Sequence, residues 1–259
     1  MNILNISLLQ FNPTWEDKTA NFKKVEKLLN EVPSNSNLVL LPEMFLTGFS
    51  MNSKKIAEPM DRSMVTWMKS ITQKSNFTLI GSLPIYDSGN YYNRLLYISP
   101  NEEVKWYDKK HLFRMGDEPE NYSAGNERKI FSFNNWNICP LVCYDLRFPV
   151  WSRNTTLEYD ILIYVSNWPK ARIDAFISLL KARAIENQSY VIGINRVGVD
   201  GNGIDYNGNS VIFDAKGNYV CKPADNREQV INTTITLDSL TEFRKKFPVY
   251  LDADPFKLI

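Results

Sequence analysis

Three groups able to take part in covalent or proton-transfer chemistry stand in this chain at or near the ends of strand-like stretches. Glu43 follows Leu38-Val39-Leu40-Leu41-Pro42, Lys109 follows a strand-like stretch ending near Tyr107, and Cys143 follows Cys139-Pro140-Leu141-Val142. A thiol attacks a carbonyl as its thiolate, which calls for a base or a positive neighbour, and the usual partner is histidine. The chain has one histidine, His111, in Tyr107-Asp108-Lys109-Lys110-His111-Leu112-Phe113, so a Cys–His pair is one reading. A second reading needs no histidine. A carboxylate takes the thiol proton and hands it to departing ammonia while a lysine ammonium stabilises the oxyanion; Glu43 and Lys109 are the candidates for those tasks. Singly, each residue has an ordinary explanation, the cysteine as a small buried hydrophobe and the charged pair as solvated surface. Only the combination points to chemistry.

The elements that must position these groups follow from periodicity. Residues 3–10 read as a strand, and Phe22, Val25, Leu28, Leu29 and Val32 mark an amphipathic helix. The strand 38–41 stops at Pro42, which cannot donate to a ladder and keeps its predecessor out of the helical region. Asp61 is the expected N-cap of a helix with Met64, Trp67, Met68 and Ile71 on one face, and a strand follows over 77–84. Asp87-Ser88-Gly89-Asn90 and Ser99-Pro100-Asn101 read as turns between aromatic-rich strands. No period holds over 109–125, which predicts a long functional loop. Strands are expected at 129–133, 136–143, 160–166 and 190–195, a helix at 172–188 and hairpin strands across 209–235. Helices alternating with strands at both ends, with hairpins between, predict an α/β fold of two mixed sheets covered by helices, a four-layer α-β-β-α sandwich. One domain is expected over 1–259, with 237–259 as a C-terminal helix and tail.

Composition narrows the partners. At 259 residues and 44% hydrophobic content the chain can bury a large core. Thirty Lys plus Arg against 29 Asp plus Glu, scattered along the chain, advertise no nucleic-acid or membrane surface. The partner expected is a small molecule. No stretch approaches the roughly 18 uninterrupted apolar residues of a membrane span. Residues 1–11 carry no basic leader, and the odd set Cys139, Cys143 and Cys221 argues for reduced thiols, so a soluble cytoplasmic protein is expected.

The three segments resemble the motifs of the nitrilase superfamily of carbon–nitrogen hydrolases. Leu40-Leu41-Pro42-Glu43 matches the glutamate motif, residues 107–113 the lysine motif, and Leu141-Val142-Cys143-Tyr144-Asp145-Leu146-Arg147-Phe148-Pro149 the cysteine motif, in the family's order. The likeness continues through Val165-Ser166-Asn167-Trp168-Pro169, residues 182–188 and residues 193–198, covering nearly the whole chain. Since the family's lysine stands two residues before the histidine, the match falls on Lys109, and His111 becomes structural. A second family glutamate falls best on Glu118, with Glu120 as a substitute. Within the family, residues 142–154 and 243–248 look most like the ω-amidases acting on 2-oxo acid monoamides such as 2-oxoglutaramate and 2-oxosuccinamate. The resemblance implies that Cys143 forms a thioester, that Glu43 is the base, that Lys109 and the Tyr144 backbone N–H meet the oxyanion, and that no metal or organic cofactor takes part. It also implies a homodimer joined near the cysteine segment and the 172–188 helix. Asn167 and Trp168 are candidate pocket residues, and Arg147 is the candidate for a substrate carboxylate by its proximity to Cys143. Another amidase or a carbamoylase would use the same groups; a noncatalytic metabolite-binding protein and a redox sensor at Cys143 are the rival classes.

Other features are read as passive. Arg183 and Glu186, three apart on a helix, pair locally as scaffold. Residues 198–203, Gly-rich without a helix or a Lys-Ser/Thr pair behind them, read as a turn. Neither Cys139 nor Cys221 has metal-site spacing.

Overall fold

The computed structural model describes residues 2–101 and 103–256; Met1, Glu102 and the last three residues of the predicted tail lie outside the described residues. The first sheet contains Ile3–Gln10 (β1), Leu38–Leu40 (β2), Thr78–Asp87 (β3), Asn90–Ile98 (β4) and Val104–Asp108 (β5). The second contains Phe131–Phe133 (β6), Trp136–Val142 (β7), Ile161–Val165 (β8), Tyr190–Ile194 (β9), Val197–Val199 (β10), Asp205–Phe213 (β11) and Tyr219–Asp225 (β12); Gln229–Thr236 (β13) returns to the first. Among the described residues the first sheet is six-stranded in the order β13-β1-β2-β3-β4-β5, and the second runs β10-β11-β9-β8-β7-β6 with β12 on β11. β1–β2–β3 and β7–β8–β9 are parallel, whereas β3–β4–β5 are hairpins.

Strand alternation makes the layers. In β2, Leu38 and Leu40 enter one buried cluster with Leu4, Ile6 and Leu8 of β1 and with Ile138 and Ile163 of the second sheet. Val39 between them, and Leu41 beyond, enter another with Val25 and Leu28 of the helix Lys18–Leu29 and Met64 and Met68 of the helix Ser63–Gln73. On the far side Phe176, Leu180 and Ala184 of the helix Ile173–Asn187 cover the second sheet. This is the predicted α-β-β-α sandwich. β8 is buried along its whole length, as a parallel strand covered on both faces must be, which accounts for its unbroken apolar sequence.

Two local expectations are corrected. Asp61 is exposed, and the helix it was expected to cap starts at Ser63 without a side-chain cap. Glu58 serves that end instead, accepting from Met64 N at 3.0 Å and from the Ser63 hydroxyl, where a negative charge meets the positive end of the helix. Residues 197–199 form a short edge strand that the sequence, with Gly198 in its middle, did not announce.

The parallel strands place the site, because Glu43, Cys143 and Asn167 all lie just beyond the carboxyl ends of β2, β7 and β8. No helix among the described residues is long and apolar enough to cross a membrane. The C-terminal helix Leu237–Lys246 docks through Arg244, whose guanidinium meets Asp160 Oδ1 at 2.7 Å, Gln188 O at 2.8 Å and Tyr159 O at 2.7 Å. Arg244→Ala leaves Asp160 and two carbonyls without their donor, and urea denaturation is expected to show a loss of about 3 kcal/mol in stability.

Candidate active site

Glu43 and Lys109 are fully buried, which a carboxylate and an ammonium tolerate only when paired. Lys109 Nζ donates to Glu43 Oε1 at 2.8 Å and to Glu118 Oε2 at 2.8 Å and Oε1 at 3.1 Å. The other Glu43 oxygen accepts from Asn167 N at 2.9 Å, and the Asn167 amide donates to the Glu43 carbonyl at 2.8 Å. Phe49 closes the cluster, its ring centroid 5.0 Å from Lys109 Nζ.

Local geometry places the two loop glutamates differently. A 3-10 turn at Arg114–Gly116 and a left-handed residue at Asp117 (φ 55°) lead into the short helix Glu118–Asn121. Glu118 is thereby turned inward and fully buried, accepting also from Phe113 N at 2.6 Å, whereas Glu120 is exposed. The loop is pinned at Lys109, whose N–H donates to Asn93 O at 3.0 Å and whose carbonyl accepts from Gly125 N at 2.9 Å. Only glycine fits at 125, since a Cβ there would meet Asp108 O at 2.1 Å.

Cys143 starts a 3-10 turn, Cys143–Arg147, with φ at 44°, in the left-handed region that non-glycine residues seldom occupy. This elbow turns the thiol from the end of β7 toward the cleft, and Sγ lies 3.8 Å from Asn167 O. Burial pushes the Cys143 thiol well above its ordinary range, and the negative charge of Glu43 adds to that, with Lys109 opposing. Burial also works against the Lys109 ammonium, but Glu118 and Glu43 outweigh it and hold its pKa above the usual lysine value. For Glu118, burial and the neighbouring Glu43 raise the carboxyl against the pull of Lys109.

The Cys–His alternative does not appear in the geometry. His111 Nδ1 lies 2.8 Å from Asp145 Oδ1 and its ring stacks on Phe148 with centroids 3.8 Å apart. The local Arg183–Glu186 pair forms at 3.0 Å, and Arg183 also donates to Leu146 O in the elbow at 2.7 Å. Tyr144, Arg147, Asn167 and Trp168 all line the cleft at Cys143, together with Phe113 and Met115 of the 109–125 loop.

Several residues at the site escaped the sequence reading. Asn93, fully buried on β4, donates through one amide nitrogen to Glu43 Oε1 at 2.7 Å and Glu118 Oε1 at 3.1 Å. Its only sequence signal was a polar residue inside an aromatic hairpin strand. Arg172 also lines the cleft, stacked over Phe113 at 5.5 Å, as Arg147 is over Trp168 at 5.0 Å. Neither guanidinium makes a hydrogen bond or ion pair among the described residues. The turn expected over 198–203 begins only at Asp200, since Gly198 and Val199 belong to β10; Asn202 N and Ile204 N donate to Asp200 Oδ1, and Asp200 and its partner Tyr206 form part of the cleft wall. No cluster of metal-ligating side chains occurs among the described residues.

Comparison with known proteins matches residues 5–245 to the family described as carbon-nitrogen hydrolase. The chain is 42% identical over 255 residues to omega-amidase YafV of Escherichia coli (strain K12), covering 98% of each. It is 33% identical over 252 residues to 2-oxoglutaramate amidase of Bacillus subtilis (strain 168), covering 95% of this chain and 96% of that protein. The crystal structure of a CN-hydrolase superfamily protein from Xanthomonas campestris, with an arsenic adduct in its active site, matches at TM-score 0.97 and 41% identity across the whole of both chains.

The raised thiol pKa has a measurable sign. Burial holds the Cys143 thiol above its ordinary range, so its alkylation by iodoacetamide, followed on the isolated peptide, is expected to keep accelerating past about pH 8.5, the ordinary cysteine value. A rate that levels off near neutrality would mean a thiolate already formed.

Proposed function

The chain belongs to the carbon–nitrogen hydrolase family, and from that premise we propose that it releases ammonia from the terminal amide of a small 2-oxo acid monoamide, 2-oxoglutaramate or 2-oxosuccinamate, through a thioester on Cys143. It is a hydrolase of carbon–nitrogen bonds other than peptide bonds within the nitrilase superfamily. The observation that carries the mechanism is the buried cluster in which Glu43 and Glu118 share the Lys109 ammonium beside Cys143.

In the proposed reaction the sulfur attacks the amide carbon as Glu43 takes the thiol proton. The tetrahedral oxyanion meets the Lys109 ammonium and the Tyr144 backbone N–H. Glu43 returns its proton to the nitrogen as the C–N bond breaks, so ammonia leaves and a thioester remains. Water then attacks the thioester carbon, Glu43 takes its proton, and the sulfur departs and is reprotonated, freeing the carboxylic acid. Glu118 keeps Lys109 charged and in place throughout. A neutral resting thiol suits this sequence, because the base is needed at the attack itself.

The substrate's own carboxylate has a receiver in Arg147 and Arg172. Both guanidiniums line the cleft with Cys143, both are held over aromatic rings, and both keep their N–H donors free for a planar anion. A homodimer is proposed through the apolar residues left exposed where three elements meet. These are Val150 at 53%, Ile185 at 48%, Phe247 at 57% and Leu251 at 70% exposure. Gln188 donating to Phe247 O and Arg153 donating to Asn187 Oδ1 bring those elements together. Sedimentation as a monomer would contradict the dimer.

The test of the activity is ammonia release by wild type and Cys143→Ala from 2-oxosuccinamate, 2-oxoglutaramate, glutamine, a simple nitrile and a carbamoyl amino acid. Release from the 2-oxo amides by wild type alone supports the proposal; release only from the carbamoyl compound or the nitrile moves the chain to another reaction of the family. Arg147→Ala and Arg172→Ala are each expected to raise KM for the 2-oxo amides by about tenfold, the loss of one charge-assisted hydrogen bond. An unchanged KM in both variants would remove them from substrate recognition.

A further inference from the structure

We propose that Asp145 is a positioning residue that ties the segment carrying Lys109 to the elbow carrying Cys143, so that one buried carboxylate sets the placement of ammonium against sulfur. The proposal rests on the reading that Lys109 and Cys143 act together.

Asp145 is fully buried, and its one ion-pair contact among the described residues is with His111. No lysine or arginine among the described residues forms an ion pair with it. A carboxylate there needs several partners, and it has four polar contacts, all from the two segments in question. Oδ2 accepts from Val142 N at 3.0 Å and from the Tyr107 hydroxyl at 2.8 Å. Oδ1 accepts from His111 N at 2.9 Å and faces His111 Nδ1 at 2.8 Å. Tyr107 and His111 stand two residues before and two residues after Lys109; Val142 immediately precedes Cys143. The carboxylate is therefore a fork with one arm braced against the elbow and the others gripping the lysine segment on both sides.

The surroundings stiffen each arm. The Tyr107 hydroxyl, having donated to Asp145, accepts from Trp151 Nε1 at 3.0 Å and Lys110 N at 3.1 Å. The His111 ring lies flat on Phe148, the residue that ends the elbow. The left-handed conformation of Cys143 stores roughly 1–3 kcal/mol and persists only where neighbours over-determine it. The Val142 N–H bond to Asp145 spans that residue and supplies such a brace. Asp145 itself does not line the cleft, so losing it leaves the substrate-binding wall in place while loosening the relation between Lys109 and the sulfur.

The experiment is a set of variants, Asp145→Asn, His111→Gln and their double, assayed on the amide that wild type turns over and normalised to titrated Cys143. Asn keeps the shape but turns an NH2 toward donors. Asp145→Asn is expected to lower kcat about 100-fold, the effect of displacing a catalytic group by about an ångström, with KM within about threefold. His111→Gln is expected to lower kcat less, and the double variant no further than Asp145→Asn, because both cut the same link. A near-normal kcat for Asp145→Asn, or losses that simply add, would overturn the clamp. A crystal structure of Asp145→Asn reads the same point without an assay: displacement of Lys109 or of the Cys143 backbone supports the proposal, and an unmoved pair overturns it. If that variant does not fold, Tyr107→Phe and His111→Gln decide, a fall in kcat at constant KM supporting the clamp and an unchanged kcat in both overturning it. A wild type inactive on every amide would sink the functional reading alone, with the crystal structures still judging the clamp.

Discussion

An ammonium withdrawn from solvent is the constraint on which this site depends. Lys109 is fully buried, and an uncompensated charge in that position would be several kcal/mol unfavourable. Its two carboxylates arrive from distant parts of the chain, Glu43 from beyond β2 and Glu118 from the loop after β5. Two carboxylates facing one ammonium carry excess negative charge, which the Asn93 amide, Asn167 N–H and Phe113 N–H offset by donating to the same carboxylates. The cluster is stable only when all these pieces are in register, so the fold that assembles it also fixes where the charges sit relative to Cys143.

Much of this arrangement was legible because two of the chemical groups end apolar strands. Leu38–Leu41 and Leu141–Val142 could be recognised as buried runs, with Glu43 and Cys143 where those runs had to leave the core, whereas Lys109 follows a partly exposed strand and stood out through its motif. The layered sandwich followed from the same alternation. Glu118 was harder to separate from Glu120, since the choice turns on a left-handed residue at Asp117 and a one-turn helix, neither of which has a periodic signature. Asn93 was hidden among Tyr91, Tyr92 and Arg94 in a strand that read as an ordinary hairpin. Arg172 read as the start of a helix, and its place at the cleft depends on how that helix lies on the second sheet. The N-cap expected at Asp61 failed because Glu58, remote from the helix start by local rules, folds back onto it.

In the proposed reaction the ionised cluster lies beneath the cleft and Cys143 stands between that cluster and the cleft wall. Glu43, Lys109 and Glu118 are fully buried and joined by hydrogen bonds, whereas Arg147, Arg172, Trp168 and Phe113 sit at the cleft wall on turns and loops. Changes in the wall can alter which amide is admitted without disturbing the cluster beneath. This separation explains why motif-like segments speak clearly about bond type and less clearly about substrate.

In the proposed reaction Cys143 carries the acyl group during turnover. Rapid acid quench of the enzyme with 2-oxosuccinamate, followed by mass spectrometry of the Cys143 peptide, tests it most directly. A transient adduct at Cys143 with the mass of the acyl fragment is expected, removed by hydroxylamine as a thioester would be. Steady ammonia release with an unmodified Cys143 peptide at every quench time, together with undiminished activity in Cys143→Ala, would contradict it.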